Sequence, residues 1–259
     1  MQFGSTLLYA VPIRAQASEK SEMVSQLLFG EPFAVLEARE KWTRIKSLLD
    51  KYEGWIASNQ WIEIEAEAAK NRPVYFAADL VNALETSVQQ SLGYVPLGAI
   101  LSEWNEELSE GRLGSHAFVY KGSITSKVSS RKRLVENALR FLNAPYLWGG
   151  KTPFGIDCSG LVQMVYRLSG KFMPRDAWQQ AEMKGKTLGF LAECKPGDLA
   201  FFDNEEGKIV HVGILLSPER ILHASGFVRI DGIDQSGIYN ATKRMHTHKL
   251  RLLKRFLAN

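Results

Sequence analysis

Apolar residues in the first quarter of the chain fall in short runs and form no long stripes. "TLLYAVPI", "FAVLEA", "WTRIKSL" and "EGWIAS" (residues 6–13, 33–38, 42–48 and 53–58) are divided by charged or turn-forming stretches, a rhythm that predicts the strands of a small β-barrel. "PVYFAA", "YVPLGAILSEW" and "HAFVYKGSI" (73–78, 94–104 and 116–124) repeat the style more loosely and predict a second β-rich module. Two connectors separate these segments: "EAEAAKNRP", charged and closed by Pro73, and "ITSKVSSRK".

After the second connector the period changes. In "SRKRLVENALRFLN", Leu134, Val135, Ala138, Leu139 and Leu142 recur at close to helical spacing, with Ser130 in place as an N-cap. A second stripe, Leu161, Val162, Val165 and Leu168, follows Cys158. Next come the strand-like runs "DLAFFD", "IVHVGILL" and "RILHAS", and a basic tail, "KRMHTHKLRLLKRFLAN", that reads as a last strand or helix. Helices first and an antiparallel sheet after them make an α+β domain. The pattern divides the chain into 1–67, 71–125 and 130–259.

Composition narrows the function classes. The 259 residues are 45% hydrophobic and 23% charged, as in an ordinary globular protein. Thirty-two basic against 28 acidic residues leave a net charge of +4, too little to call for nucleic acid or an anionic membrane as partner. No apolar run approaches the roughly 18 residues that span a bilayer. The N-terminus carries no basic residue before its short apolar patch, which Pro12 breaks, so no secretory signal is visible and a cytosolic location is expected. There the two cysteines, Cys158 and Cys194, are expected as free thiols.

Cys158 stands where a loop turns into the second helix, between Gly155 and Ser159-Gly160. A thiol at that place is a packed small side chain, a disulfide partner, a metal ligand or a nucleophile. Unpaired amides and the positive end of the helix dipole favour thiolate there, which predicts a lowered pKa. His211 and His223 lie in successive strand-like runs joined by the short "SPER" connection, so pairing of those strands would bring the two rings together. Thiol, base and orienting group are the parts that thiol catalysis requires. "APYLWGG" sets Tyr146 and Trp148 about ten residues ahead of the cysteine, where a phenol can join the Cys158 amide in holding an oxyanion. Core packing is the alternative for both aromatics.

Taken in order, "YLWGG", "DCSGLVQMVYR", "PRDAWQQ", "KPGDLAFF", "HVGILL" and "ILHAS" resemble the NlpC/p60 family of papain-like cysteine peptidases, and the two N-terminal modules resemble bacterial SH3-like barrels joined to it. The resemblance implies a papain-like α+β catalytic domain with Cys158 as nucleophile, His211 as base, His223 as third polar residue and Tyr146 near the oxyanion. It implies hydrolysis of peptidoglycan stem peptides between γ-D-glutamate and a diamino acid, meso-diaminopimelate or L-Lys, with no cofactor and no metal. In relatives that recycle wall fragments, Asp157, Ser159 and the Asp of "RD", here Asp176, help bind the free amine of L-Ala, and Arg175 beside it suits a carboxylate. Such relatives often carry Ser after that Asp. Ala177 stands here and puts one substrate hydrogen bond in doubt. "YEGWIAS" offers Glu53 and Trp55 to a cleft wall. A secreted hydrolase of intact wall, a murein-binding module without catalysis, and acyl transfer on the same fold are the rival readings. His116, His246 and His248 are expected to lack partners of the right kind for a metal or catalytic site, and Cys194 is expected to be an incidental buried thiol.

Overall fold

The computed structural model describes residues 1–71, 74–86, 92–126 and 130–257, and divides into two compact units, Met1–Lys127 and Val128–Asn259. Pro73 and residues 127–129, part of the two sequence connectors, lie outside the described residues.

The first unit is rich in sheet. Strands Phe3–Ser5, Ala10–Arg14, Met23–Leu28, Phe33–Ala38, Trp42–Ser47, Glu53–Ala57 and Ile62–Ile64 make one antiparallel sheet. The run "TLLYAVPI" is therefore no single strand: residues 6–9 form a turn, and only its second half enters the ladder, with Ala10 opposite Leu28. Val11, Ile13, Leu27, Phe33, Ile45 and Ile56 face one another in a dry cluster, each such side chain contributing about 1.5–3 kcal/mol by burial. A second sheet, Val81–Thr86, Leu92–Pro96, Glu110–Leu113 and His116–Val119, uses less of its predicted strands, because Gly98 at φ +79° turns the chain out of "YVPLGAILSEW". The two sheets share a core: Phe3, Phe29 and Ile64 pack with Leu84, Val95, Phe118 and Tyr120, and the Phe29 and Phe118 rings meet edge to face at 5.4 Å. The first connector contains a short helix, Ala66–Lys70, whose Ala69 joins that core.

The second unit places helices before sheet. Ser130 caps helix Arg131–Leu139 by accepting from the Arg133 amide at 3.3 Å. That helix ends a turn early, at Leu139, and only Leu134 and Ala138 of the expected stripe are buried, while Leu139 and Leu142 are exposed. The cysteine helix, Cys158–Arg167, is buried along its entire length and packs against strand Ile209–Ser217. That strand lies between Leu199–Asp203 and Arg220–Ser225, followed by Phe227–Asp234 and Gly237–Asn240. The basic tail is a strand, Met245–Arg255, pairing through one half with Leu199–Asp203 and through the other with Gly237–Asn240, so that these six strands close on one another. Asp198, fully buried, holds the closure: Arg131 Nη1 donates to it at 3.0 Å and Arg255 Nη2 at 2.7 Å. Among the described residues no helix is long and apolar enough to cross a membrane.

Candidate active site

The sheet ladder sets the imidazoles first. The strands carrying His211 and His223 pair antiparallel, with Ile214 opposite Leu222. Across this hairpin His211 Nε2 and His223 Nδ1 stand 2.9 Å apart, with both rings buried. Beyond them His223 Nε2 meets Asp231 Oδ2 at 3.0 Å, and Arg229 Nη2 donates to Asp231 Oδ1 at 2.8 Å. On the other flank the His248 ring stacks on His211 at 4.2 Å and 27°, while Phe202 lies 5.7 Å from the same base.

The expectation that His248 lacks a partner is therefore corrected. Closure of the sheet by the last strand brings it to the base, whereas His246, two residues earlier, is exposed and paired with Asp234 at 2.8 Å. The ring nitrogens of His211, His223 and His248 lie within 4.8 Å of one another, so these are the residues to consider for a metal. Both nitrogens of His223 and one of each other ring are engaged: His211 Nε2 with His223, His223 Nε2 with Asp231, and His248 Nδ1 with Thr247 Oγ1 at 2.9 Å. Through His211, His223 and Asp231 this is the pattern of a hydrogen-bonded relay.

Cys158 is the first residue of its helix, and its thiol lies at the backbone amides of Val212, next to His211, and Ser159. Asp157 fixes this start. As N-cap it accepts from the Gly160 amide at 2.7 Å and the Gly149 amide at 2.9 Å. Arg175, 1% exposed, grips it with Nη1 at 3.1 Å and Nη2 at 2.5 Å. Ser159 Oγ donates to Asp157 at 3.2 Å and accepts from Arg175 at 2.8 Å. Gly160 is required at its place, since a Cβ there would sit 2.3 Å from the Gly150 carbonyl oxygen.

Asp157, Ser159 and Arg175, read from sequence as groups for the substrate, thus form a buried clamp beneath the cysteine. Asp176 N-caps the next helix, Ala177–Glu182, half buried, and its amide donates to Gln179 Oε1 at 3.0 Å. Tyr146 is half buried on the loop before the cysteine, held by its amide to the Gly226 carbonyl at 3.0 Å. Trp148 is exposed. Glu53 and Trp55 lie in the first unit, where Glu53 bonds Lys46 and Arg44, both at 3.0 Å, and Arg39 covers the Trp55 ring at 4.2 Å. Cys194 is a buried free thiol in a separate apolar cluster.

Electrostatics overturns the expected thiolate. Burial, and then the negative charge of Asp157, push the Cys158 thiol up to about 12, against the amides of Val212 and Ser159 and the Arg175 charge. The helix start does favour the anion, but desolvation outweighs it. Burial also holds His211 well below the ordinary imidazole range, reinforced by His223 and His248. Burial first of all, with the nearby negative charge of Asp157, raises the Tyr146 phenol, so it remains a hydrogen-bond donor. By these shifts the thiol and the imidazole are both neutral at pH 7. The alkylation rate of Cys158 by iodoacetamide is accordingly expected to climb about tenfold per pH unit from 7 to 10, since that is how the thiolate fraction grows below the thiol pKa. A rate that has levelled off below pH 7 would contradict the neutral pair.

Comparison with known proteins bears on this geometry. Residues 143–250 match the NlpC/P60 family and residues 13–60 the bacterial dipeptidyl-peptidase SH3 domain. The chain is 29% identical over 221 residues to a γ-D-glutamyl-L-lysine dipeptidyl-peptidase of Bacillus subtilis, covering 77% of this chain and 71% of the relative. Dipeptidyl-peptidase 6 of Lysinibacillus sphaericus is 26% identical over 260 residues, 85% of this chain and 88% of its own. The crystal structure of an NlpC/P60 family protein from Bacillus cereus superposes with a TM-score of 0.82 at 18% identity, over 99% of this chain and 100% of that one.

Proposed function

The chain is a cysteine peptidase of the NlpC/P60 family with an N-terminal bacterial dipeptidyl-peptidase SH3 domain, and on that premise we propose that it hydrolyses the bond between γ-D-glutamate and the diamino acid of peptidoglycan stem peptides bearing a free L-Ala amine. The observation that supports the reading is a thiol at a helix start, at the amide of Val212 next to His211, together with two hydrogen-bonded imidazoles on paired strands. The name of the Bacillus subtilis relative supplies the bond.

His211 Nε2 is occupied by His223, which leaves Nδ1 to take the proton of Cys158. As the sulfur bonds to the γ-carbonyl carbon, negative charge moves onto the carbonyl oxygen, where the Tyr146 hydroxyl and the Cys158 amide donate to it. The imidazolium returns its proton to the departing amine of the diamino acid, and the C–N bond breaks. Water, giving a proton to His211, then hydrolyses the thioester and frees the thiol. Asp176, the Asp of "RD" and half buried at the start of helix Ala177–Glu182, is our choice for the substrate ammonium. Free-amine recognition distinguishes a recycling enzyme from a hydrolase of intact wall.

The test is a digest followed by mass spectrometry. L-Ala-γ-D-Glu-meso-diaminopimelate and its L-Lys counterpart are expected to release L-Ala-γ-D-Glu, and the N-acetylated peptides to be cut at least tenfold more slowly. Cleavage of intact sacculi without cleavage of the tripeptides would overturn the recycling reading.

A further inference from the structure

We infer that Asp231 is a positioning residue which, through His223, fixes the tautomer of His211 so that an unprotonated Nδ1 faces Cys158. The inference rests on the reading of Cys158 as nucleophile and His211 as base, and deepens it by a residue that touches neither substrate nor thiol.

Asp231 sits on strand Phe227–Asp234, next to the His223 strand, two residues before the core residue Ile233 on the same side of the ladder. It is 8% exposed, yet charged in an inward place. Burial would raise its pKa, but hydrogen bonds from His223 and Arg229 prevail and hold it below the ordinary carboxylate range. A carboxylate only accepts, so His223 Nε2 must carry the proton in their 3.0 Å bond. With that single ring proton His223 accepts at Nδ1, and the 2.9 Å bond to His211 runs from His211 Nε2–H. His211 is in turn left with its lone pair on Nδ1. One carboxylate thus sets two tautomers in series. Arg229, bonded to Asp231 Oδ1 at 2.8 Å, keeps the carboxylate from turning away. The His248 ring stacked on His211 restrains rotation of the base, and burial shifts it down to about 4, so it is neutral at pH 7.

Asp231→Asn reverses the series. Arg229 Nη2 makes its hydrogen bond at the Oδ1 position, while its Nε, 2.7 Å from Oδ2, makes none, so the amide oxygen settles at Oδ1 and the amide nitrogen faces His223 Nε2. His223 must then accept at Nε2 and donate from Nδ1, and His211 must accept at Nε2 and carry its proton on Nδ1, where it blocks the thiol. In serine peptidases such a tautomer error costs about 10⁴ in kcat.

The experiment records two-bond ¹H–¹⁵N spectra of histidine-labelled full-length protein, and steady-state kinetics on the tripeptide, for wild type, Asp231→Asn and Cys158→Ala. The expected spectra show Nε2–H on His211 and His223 in wild type and Nδ1–H on both in Asp231→Asn. The expected kinetics show kcat lower by about 10²–10⁴ in Asp231→Asn with KM nearly unchanged. Nδ1–H on His211 in wild type overturns the inference with no variant needed, as does an Asp231→Asn kcat within threefold of wild type. Activity surviving in Cys158→Ala would instead bring down the assignment of the nucleophile, and the tautomer spectra stay readable either way.

Discussion

Cys158→Ala is expected to lower kcat/KM on the stem tripeptide by at least about 10³-fold, and His211→Ala by a similar factor, while far-UV circular dichroism stays that of the wild type. Removing the sulfur removes the only atom in the arrangement that can form the thioester. Removing the base leaves a thiol that burial keeps protonated, with nowhere to send its proton. The two losses are not additive. A Cys158→Ala/His211→Ala protein should be no slower than either single variant, because each alone already disables the pair. Release of L-Ala-γ-D-Glu followed by chromatography makes the comparison. More than about a hundredth of wild-type activity in Cys158→Ala would mean that another group attacks the peptide. Such activity with the fold intact would also leave the relay without a reaction to serve.

The largest stability loss is expected from Arg175→Ala. Its guanidinium and the Asp157 carboxylate are both buried and bonded through two nitrogens, so deleting one partner strands the other charge in a dry place, at a cost of about 3–5 kcal/mol. In a unit of this size that corresponds to a fall in melting temperature on the order of 10–20 °C. The damage is local as well. Asp157 then has no counter-ion while it still caps the cysteine helix, and the first turn, with Cys158 in it, loses its anchor. The double substitution Asp157→Asn/Arg175→Met should recover part of the loss, since no lone charge remains. Differential scanning calorimetry at pH 7 decides this, and a melting temperature within 3 °C of wild type in Arg175→Ala would show that the ion pair does not hold the unit together.

Much of this site was legible before any coordinates because its central parts are local in sequence. Cys158 announces itself by the change from loop to helical period, and His211 and His223 by adjacency on either side of a four-residue connection. Their pairing follows from the rule that short connections join neighbouring antiparallel strands. What escaped notice depends on distance along the chain or on environment. His248 reaches the base only because the last strand closes on Leu199–Asp203, a contact spanning some 45 residues that no local period encodes. Asp231 left a fainter trace, a carboxylate on the inward side of an alternating strand, that period alone does not distinguish from a solvated acid. In sequence Arg175 suits a substrate carboxylate, because nothing there reveals that its partner is Asp157, eighteen residues earlier and also buried. The thiol's protonation was misjudged for a similar reason. A helix start is visible in sequence, but the dryness around it is set by strands that come later. In the first unit, turns at residues 6–9 and at Gly98 cut apolar runs that period alone joins into longer strands.

The position of Met245–Arg255 also bears on how the enzyme comes into being. A nascent chain that has already emerged with Cys158, His211 and His223 still has an open sheet and a bare face on its base, and it acquires both the missing edge and the stacked ring only when this segment arrives. Assembly of the reactive pair thereby waits on this strand, and a fragment clipped ahead of Met245 is expected to carry every reacting atom yet release no L-Ala-γ-D-Glu from the tripeptide.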